Sequence, residues 1–313
     1  MSVLAPTRPV PADPATSGSG SRPRRRPRRH GAAGLLLAGP FALLLFGTVL
    51  LPVLYALYLS LFTQRLSGLG FGGPKQVFVA FGNYLDVVVD SAFHQSLGNV
   101  ALYALVHVPT MLGAALVLAL LLDSAVVRLK QVWTLAVFLP YAVPAVIAGL
   151  IWAYLYSPGI GPLNAISPVD PLSKSGILPA LVNISHWQWL GYNMIIFYTA
   201  LQAIPREVLE SARVDGAGAV RTALFIKTPM IRPTVFVALV FTIIGSLQLF
   251  TEPLVLRNFT GAVSSTWTPS LYVYEAAFVA GDYGRAAAAS VLLAVVAAVL
   301  SAVVMRLSTR RSR

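Results

Sequence analysis

A small set of hydrogen-bonding and aromatic side chains interrupts the long apolar segments of this sequence. They are Trp152, Tyr192, Asn193, Gln248 and Glu252. Polar groups inside a membrane are costly and usually face a cavity, so these residues are candidates to hold a polar solute by hydrogen bonds and ring stacking. Each also has a second interpretation, as an interhelical hydrogen bond or an interfacial anchor, because polar side chains join membrane helices.

The sequence has no arrangement of residues that is typical of an enzyme. It contains no cysteine, no His/Asp/Glu cluster with metal-ligand spacing, and no nucleophile that can be placed beside a base. It also lacks a G-x-x-x-x-G-K-[ST] loop, which would cradle ATP phosphates. We therefore expect no catalytic residue, metal or cofactor in this chain. His107, deep in an apolar segment, is expected to be a packing hydrogen-bond partner rather than a ligand or proton relay.

The composition is that of an integral membrane protein. Of 313 residues, 57% are hydrophobic and 11% are charged, whereas a soluble domain carries about 25% charged residues. The net charge of +12 could suggest nucleic acid as a partner. The basic residues lie in the tails and two loops, however, which is a membrane-topology pattern. We expect a lipid bilayer and no nucleic acid.

Six apolar segments are long enough to cross a bilayer, which takes about 20 residues. They cover residues 35–62, 97–122, 132–156, 187–204, 234–256 and 286–307. The sequence thus predicts an all-α polytopic fold with six transmembrane helices in residues 35–307. Residues 1–34, rich in arginine and proline, are expected to be a disordered tail, and residues 308–313 a short C-terminal tail.

The distribution of Lys and Arg predicts the orientation. With both termini inside, eighteen of the 23 Lys and Arg residues fall on the inner side, as the positive-inside rule requires. Both tails and the segment 204–233 should then be cytoplasmic. Asp123, in the short inner loop after the second apolar segment, is expected to be solvated.

The segment 204–233 is punctuated like two short helices. Pro205 suits the first position of a helix, and Val208, Leu209 and Ala212 form an apolar ridge. Glu210 is spaced to pair with Arg206 or Arg213.

A sharp bend follows that first helix. Asp215, Gly216 and Gly218 favour it. A second helix is expected over residues 220–226, with Pro229 and Pro233 ending it.

The same segment resembles the EAA loop of ABC-importer permeases. The resemblance rests on Glu210-Ser211-Ala212, Gly216, Ile226 and Pro229. Ser211 and Thr228 depart from the pattern E-A-A, three residues, G, nine residues, I-x-L-P. Further similarities to the maltose- and glycerol-phosphate-type permeases lie in Phe81-Gly82-Asn83-Tyr84, Phe138-Leu139-Pro140 with Ile151-Trp152, Gly161-Pro162-Leu163-Asn164, Leu201-Gln202-Ala203-Ile204-Pro205 and Tyr283-Gly284-Arg285-Ala286-Ala287.

The resemblance implies the type I ABC-importer permease fold and a permease that takes up a carbohydrate, specifically an oligosaccharide, through the plasma (inner) membrane of a prokaryote. It implies four kinds of partner: a second, similar permease, two ATP-binding subunits that hold ATP and Mg²⁺, an extracytoplasmic solute-binding protein, and lipid. The residues that it implies in coupling to the ATPase are Glu210, Ser211, Ala212, Asp215, Gly216, Ile226 and Pro229. In this setting Tyr192, Asn193, Gln248, Glu252 and Trp152 are the candidates for the solute pathway.

Three alternatives stay open. An ABC permease could carry an amino acid, phosphate or another non-sugar solute. An ion-coupled secondary transporter would need a coupling acid or base deep in a span, for which only His107 is suitable. A membrane enzyme is disfavoured by the missing catalytic arrangements.

Overall fold

The computed structural model describes residues 31–66, 74–124 and 126–311. Nearly all of the predicted tail 1–34 lies outside these residues, and helix α1 begins at Gly31. At the other end helix α15 continues to Arg311, so it includes most of the predicted tail 308–313. These domain boundaries stay predictions.

The chain forms two compact units, Met1–Pro52 and Val53–Arg313. In the described part of the first, α1 (Gly31–Leu45) is followed by a π-helical turn (Phe46–Leu50) and by the start of α2 (Leu51–Ser60).

The second unit contains the rest of α2, two strands and thirteen further helices in the part of the chain that the structure describes. They are β1 (Phe62–Leu66), β2 (Pro74–Phe78), α3 (Gly82–Val89), α4 (Ser91–Asp123), α5 (Lys130–Phe138), α6 (Ala145–Tyr156), α7 (Pro162–Ile166), α8 (Ile177–Gln202), α9 (Arg206–Val214), α10 (Ala219–Thr222), α11 (Thr228–Met230), α12 (Arg232–Leu247), α13 (Thr251–Leu256), α14 (Pro269–Tyr274) and α15 (Tyr283–Arg311). A 3₁₀ turn (Leu139–Ala142) follows α5, and π-helical turns follow α10 (Ala223–Lys227) and α14 (Glu275–Val279).

Five of the six predicted apolar segments contain helices long and apolar enough to cross a membrane. Four are Leu36–Ser60, Ser91–Asp123, Arg232–Leu256 and Tyr283–Arg306; the fifth is the pair Lys130–Ala142 and Ala145–Tyr156, bent by 97°. The remaining predicted segment, 187–204, lies almost entirely in α8, whose 26 residues extend about 39 Å. The helical fold class is confirmed, and six spans are compatible with it.

Helix α8 lies at the centre of the unit, where it packs against α4, α5, α6, α12 and α13. It begins at Ile177, ten residues before the predicted start of the fourth span, and it buries residues along its whole length. A Cβ at Gly191 would lie 2.2 Å from the carbonyl oxygen of Val137, so glycine is needed for the close approach of α8 to α5. A central helix can carry polar side chains because its neighbours provide their partners.

The third span is broken at Val143–Pro144. Pro144 has no N–H, and the helix restarts at Ala145 in a new direction. The carbonyl of Val143, which the break removes from helical pairing, accepts a hydrogen bond from Gln188 Nε2 at 3.0 Å. A side chain of α8 thus satisfies a backbone group that lipid could not satisfy.

The chain between the first two predicted spans contains regular structure. It contains an antiparallel hairpin in which Phe62 pairs with Phe78 and Leu66 with Pro74. Asn83, at the start of α3, donates to the carbonyls of Ser60 and Phe62 at 2.8 and 2.9 Å. One buried carboxamide therefore joins the start of α3 to the junction between α2 and β1.

Asp90 joins three elements beside this hairpin. Its carboxylate caps α4 by accepting the Ala92 amide at 2.8 Å, accepts the Tyr272 hydroxyl at 2.7 Å, and pairs with Arg285 of α15. Burial acts to raise the pKa of the Asp90 carboxyl, but these hydrogen bonds and the Arg285 charge outweigh it, so the pKa is lowered. Burial, together with the bond to Asp90, raises the pKa of Tyr272 to about 12.

The substitution Asp90→Asn should remove the ion pair with Arg285 and keep the helix cap, because Asn is also a good N-cap residue. We expect it to lower the free energy of unfolding by about 1 kcal/mol at pH 7, since Arg285 is partly solvated. A lowered folded-state pKa stabilises the fold above the unfolded pKa of about 4, and this stabilisation is lost as the pH falls further. Thermal midpoints measured from pH 7 to pH 3 should therefore converge for the wild type and the variant at the acid end. Asp90→Ala, which also removes the cap, is the control and should be less stable than Asp90→Asn at every pH.

Candidate functional site

A cavity of about 490 Å³ lies between α4, α8, α12 and α13. Four of the five predicted solute-pathway residues, Tyr192, Asn193, Gln248 and Glu252, line it. Two come from α8 and two from the chain between α12 and α13 or the start of α13. The structure thus brings together candidates that are far apart in the sequence. The cavity is also lined by His107, which the sequence analysis treated as a packing residue. Four further lining residues were not predicted: Tyr103, Ser185, Trp189 and Thr251.

The cavity lies where two spans lose helical regularity. Ala145, the first residue after the break in the third span, lines it. Between α12 and α13 the chain is non-helical at Gln248–Phe250, and all three of these residues line it as well. In a membrane protein, irregular backbone is tolerated where it is buried in protein or faces a water-filled cavity.

The aromatic wall of the cavity consists of Trp189 and Tyr192, which pack with Tyr141 in a cluster of three rings. Tyr192 stacks on Tyr141 with ring centroids 5.0 Å apart and planes inclined by 16°. Trp189 meets both rings edge-on, at 5.2 Å from Tyr141 and 6.0 Å from Tyr192. Because each ring is held by the other two, the wall offers fixed apolar faces to a ligand.

Hydrogen-bonding groups stand beside this wall. Tyr103 donates to Ser185 Oγ at 2.7 Å, and Asn193 Nδ2 donates to the Trp189 carbonyl at 3.2 Å. Glu252 is 7% exposed. The combination of fixed rings and several donors and acceptors is suited to a polyhydroxylated solute.

His107 packs between rings, as its position in the sequence suggested. It stacks on Tyr103 at 4.9 Å and meets His186 edge-on at 5.0 Å. The expected hydrogen bond is not formed by Nδ1, which is buried and without a partner among the described residues.

Trp152 lies elsewhere. It lines a separate cavity of about 700 Å³ with Tyr156, Asn183 and residues of the 163–180 region. Its indole Nε1 is buried and has no partner within the described chain. The structure therefore does not place Trp152 with the other four candidates.

The segment 204–233 forms the two helical parts that its punctuation predicted. Helix α9 has Pro205 just before its first residue and Glu207 in its first turn. Ala212 is buried, and Leu209 packs with Ile204 and Ile231 against the ends of the spans.

The bend after α9 depends on Gly216. This residue has φ of +75°, in the left-handed region. The amide of Ala217 donates to the Ala212 carbonyl at 2.9 Å, and that of Gly216 to the Arg213 carbonyl at 3.0 Å. This pair of bonds is the Schellman arrangement that ends helices at a glycine. Gly218 has φ of −66° and ψ of 164°, a conformation that any residue can adopt. Of the two glycines expected to make the bend, only Gly216 has a backbone conformation that favours glycine.

Two expectations for this segment are wrong. The second helical part does not end at Pro229 but continues to Met230, because the π-helical turn before it widens the backbone where a proline ring would otherwise clash with a carbonyl. Glu210 makes no ion pair with Arg206 or Arg213; the ion pairs among the described residues lie elsewhere. Its side chain is exposed on the outer side of α9.

Large apolar side chains are exposed on the same segment. Val214, Val220, Leu224 and Phe225 have 88%, 72%, 52% and 73% of their surface exposed. They stand among charged residues, unlike the apolar surface of the spans. An apolar patch of this kind beside charges is typical of a protein–protein contact.

Asp123 is not the solvated charge that the sequence suggested. Its carboxylate accepts Gln202 Nε2 of α8 at 2.5 Å and forms an ion pair with Lys227. The Asp123 and Lys227 side chains are only 9% and 18% exposed. Their separation of 104 residues left no local signal of this contact in the sequence.

Residues 111–313 match the family described as binding-protein-dependent transport system inner membrane component. The diacetylchitobiose uptake system permease protein NgcF of Streptomyces coelicolor is 32% identical, with 93% of this chain and 87% of that protein covered. The lactose transport system permease protein LacF of Rhizobium radiobacter is also 32% identical, covering 88% and 93%.

A solved structure shares the fold. It belongs to a bacterial ABC transporter involved in the import of the acidic polysaccharide alginate. The TM-score is 0.77 at 22% sequence identity, with 91% of this chain and 98% of that chain covered.

The substitution Gly216→Ala should strain the end of α9, because alanine at positive φ costs about 1 kcal/mol. No atom lies within 4 Å of a Cβ at Gly216, so the effect would be conformational and not steric. In this variant we expect faster hydrogen exchange than in the wild type at the amides of residues 216 and 217. The matched control is Gly218→Ser, which keeps a good N-cap residue and should leave exchange unchanged. Equal exchange in both variants would contradict the assigned role of Gly216.

Proposed function

Because this chain belongs to the family of binding-protein-dependent transport system inner membrane components, we propose that it is the transmembrane permease subunit of an ATP-driven importer for a neutral oligosaccharide. The single observation that carries the proposal is the cavity between α4, α8, α12 and α13, which joins fixed aromatic faces to hydrogen-bonding groups. The names of two relatives, permeases for diacetylchitobiose and lactose, support the same class of solute.

The charge of the solute is inferred from the lining of the cavity. No lysine or arginine is among the described residues that line it, and Glu252 is its one carboxylic acid. An anionic sugar would lose hydration there without gaining a cationic partner, which is unfavourable in a site of low polarity. The shared fold does not decide this point, because the alginate transporter has the same fold and imports an acidic polysaccharide.

The segment 204–233 is the proposed contact with the ATPase. Its exposed apolar side chains and the surface position of Glu210 supply a surface for a partner protein. Residues Glu210, Ser211, Ala212, Asp215, Gly216, Ile226 and Pro229 would form the coupling element. ATP and Mg²⁺ would be bound by two separate ATP-binding subunits, and a second, similar permease would complete the pathway.

The proposed orientation places both termini and this segment in the cytoplasm, as the Lys and Arg distribution predicts. A solute-binding protein would then deliver the sugar from the opposite side. Closure of the ATPase pair would move the two permeases as rigid bodies and open the cavity to alternate sides.

The direct test is uptake into proteoliposomes that contain this permease with its partner permease and ATPase subunits. With the binding protein present, a neutral oligosaccharide should accumulate only when ATP is supplied. A variant of the ATPase subunits that cannot hydrolyse ATP is the control. Uptake that follows an imposed ion gradient without ATP would instead support a secondary transporter, and uptake of an amino acid or phosphate but of no sugar would contradict the carbohydrate proposal.

Charge selectivity is tested by direct binding to the purified complex, without the binding protein. Quenching of Trp189 fluorescence reports ligand in the cavity, with Trp189→Phe as the control for signal from other tryptophans. A neutral oligosaccharide should bind at least about tenfold more tightly than its uronic-acid counterpart of equal length, a difference of about 1.4 kcal/mol. Equal or reversed affinities would show that the complete pathway supplies a cation and would overturn the neutral assignment.

The substitution Glu252→Gln should weaken binding of the neutral sugar by about tenfold, because it replaces a carboxyl oxygen, which can accept a hydrogen bond from a sugar hydroxyl, with an amide NH2 that only donates. The matched control is Trp152→Phe, in the separate cavity, which should leave the affinity unchanged. Trp152→Phe also removes a buried donor without a partner among the described residues, so it should fold normally. A loss of affinity in Trp152→Phe and none in Glu252→Gln would move the solute site to the other cavity.

A further inference from the structure

One partly buried acid links the segment 204–233 to two walls of the cavity. Asp123 is the last residue of α4, and Gln202 is the last residue of α8. Lys227 lies at the end of the π-helical turn within the segment. The Asp123 carboxylate accepts from Gln202 through one oxygen and from Lys227 through the other, so three elements meet at one side chain.

We propose that Asp123 and Lys227 are positioning residues that couple movement of the segment 204–233 to α4 and α8. This inference rests on the proposed function, since the coupling that it describes is that of an ATP-driven importer. Neither residue touches the solute. Their role is to make the segment and the two helices move together.

The two helices carry much of the cavity. Tyr103, His107 and Met111 lie on α4, and Ser185, Trp189, Tyr192 and Asn193 lie on α8. The helices contact each other along their length, as the shared apolar cluster around Ala115, Ala119 and Phe197 shows. A force applied at the Asp123 end would therefore displace the aromatic wall and the Tyr103–Ser185 pair as one body.

The ion pair is shielded enough to hold the segment. Leu122 and Leu201, which precede the two helix ends, are 6% and 3% exposed. A charge pair in such surroundings is screened less than a pair at an open surface, and removal of one partner leaves the other charge in an unfavourable place. Leu209 and Ile231 add apolar contacts with the spans. Apolar surfaces can shift along each other, whereas the ion pair holds Lys227 at one position relative to the end of α4.

The test is a double-mutant cycle in the reconstituted transporter. The variants are Asp123→Asn, Lys227→Gln and the two combined, with uptake and ATP hydrolysis measured in the same vesicles. Each single variant should lower the number of solute molecules transported per ATP by about fivefold or more, the lower range for coupling between sites. If the residues act as a pair, the double variant should be no worse than either single variant.

Three further measurements separate coupling from folding. Lys227→Arg keeps the charge and should retain most of the transport per ATP. Co-purification of the ATPase subunits should be unchanged in all variants, because the exposed docking surface is intact. The control pair is Arg257–Glu275, whose atoms are 3.4 Å apart and which does not touch the segment; Glu275→Gln should leave the ratio unchanged.

Two results would overturn the proposal. One is an unchanged transport-to-ATP ratio in both single variants. The other is an effect in the double variant that equals the product of the single effects, which would show that the residues act independently. Absence of ATP-dependent uptake by the wild-type complex would instead overturn the proposed function, and the coupling role with it.

Discussion

The bilayer provides no water to an unpaired backbone group, and this constraint decides where the spans can be irregular. Two spans depart from helical conformation, at Val143–Pro144 and at Gln248–Phe250, and Ala145 and Gln248–Phe250 line the same cavity. Gln188 satisfies one of the carbonyls that the first interruption leaves. The irregular backbone and the polar cavity therefore depend on each other: the breaks make room for the cavity, and the cavity and α8 make the breaks tolerable.

The same constraint explains the character of α8. A span that faces lipid must be apolar, but α8 lies among the other helices and carries Asn183, Ser185, His186 and Gln188 in consecutive turns. Its polar side chains find partners on three different neighbours: Asn183 donates to the Tyr156 hydroxyl, Ser185 accepts from Tyr103, and Gln188 donates to the Val143 carbonyl. Low hydropathy in a span thus indicates a central position and side chains that form hydrogen bonds with neighbouring helices. It is no argument against the span crossing the membrane.

Much of this organisation was predictable from local pattern. Hydropathy located the long apolar helices to within six residues except at α8. The Pro and Gly positions marked the two helical parts of the segment 204–233. The polar residues Tyr192, Asn193, Gln248 and Glu252 were found because polar groups in apolar runs are costly. What could not be predicted depends on contacts between distant residues: the Asp123–Lys227 pair, the hydrogen bond from Asn83 to the end of α2, and the separation of Trp152 from the cavity. A single sequence carries period and composition, but it does not show which helix faces meet.

The contrast between broken and continuous helices has a mechanical consequence. Helix α4 is continuous over 33 residues, about 50 Å at 1.5 Å per residue, even though Pro109 lies within it. The Thr110 hydroxyl donates to the Val106 carbonyl at 2.6 Å, in the turn where the proline removes a backbone donor. A long intact helix transmits displacement because its hydrogen bonds resist bending, whereas a broken one absorbs displacement at the break. In the proposed mechanism the third and fifth spans adapt around the solute, while α4 and α8 carry motion from the end that holds Asp123 to the aromatic wall. The broken helices thus shape the cavity and the continuous helices transmit motion to it, and both kinds of helix line the cavity.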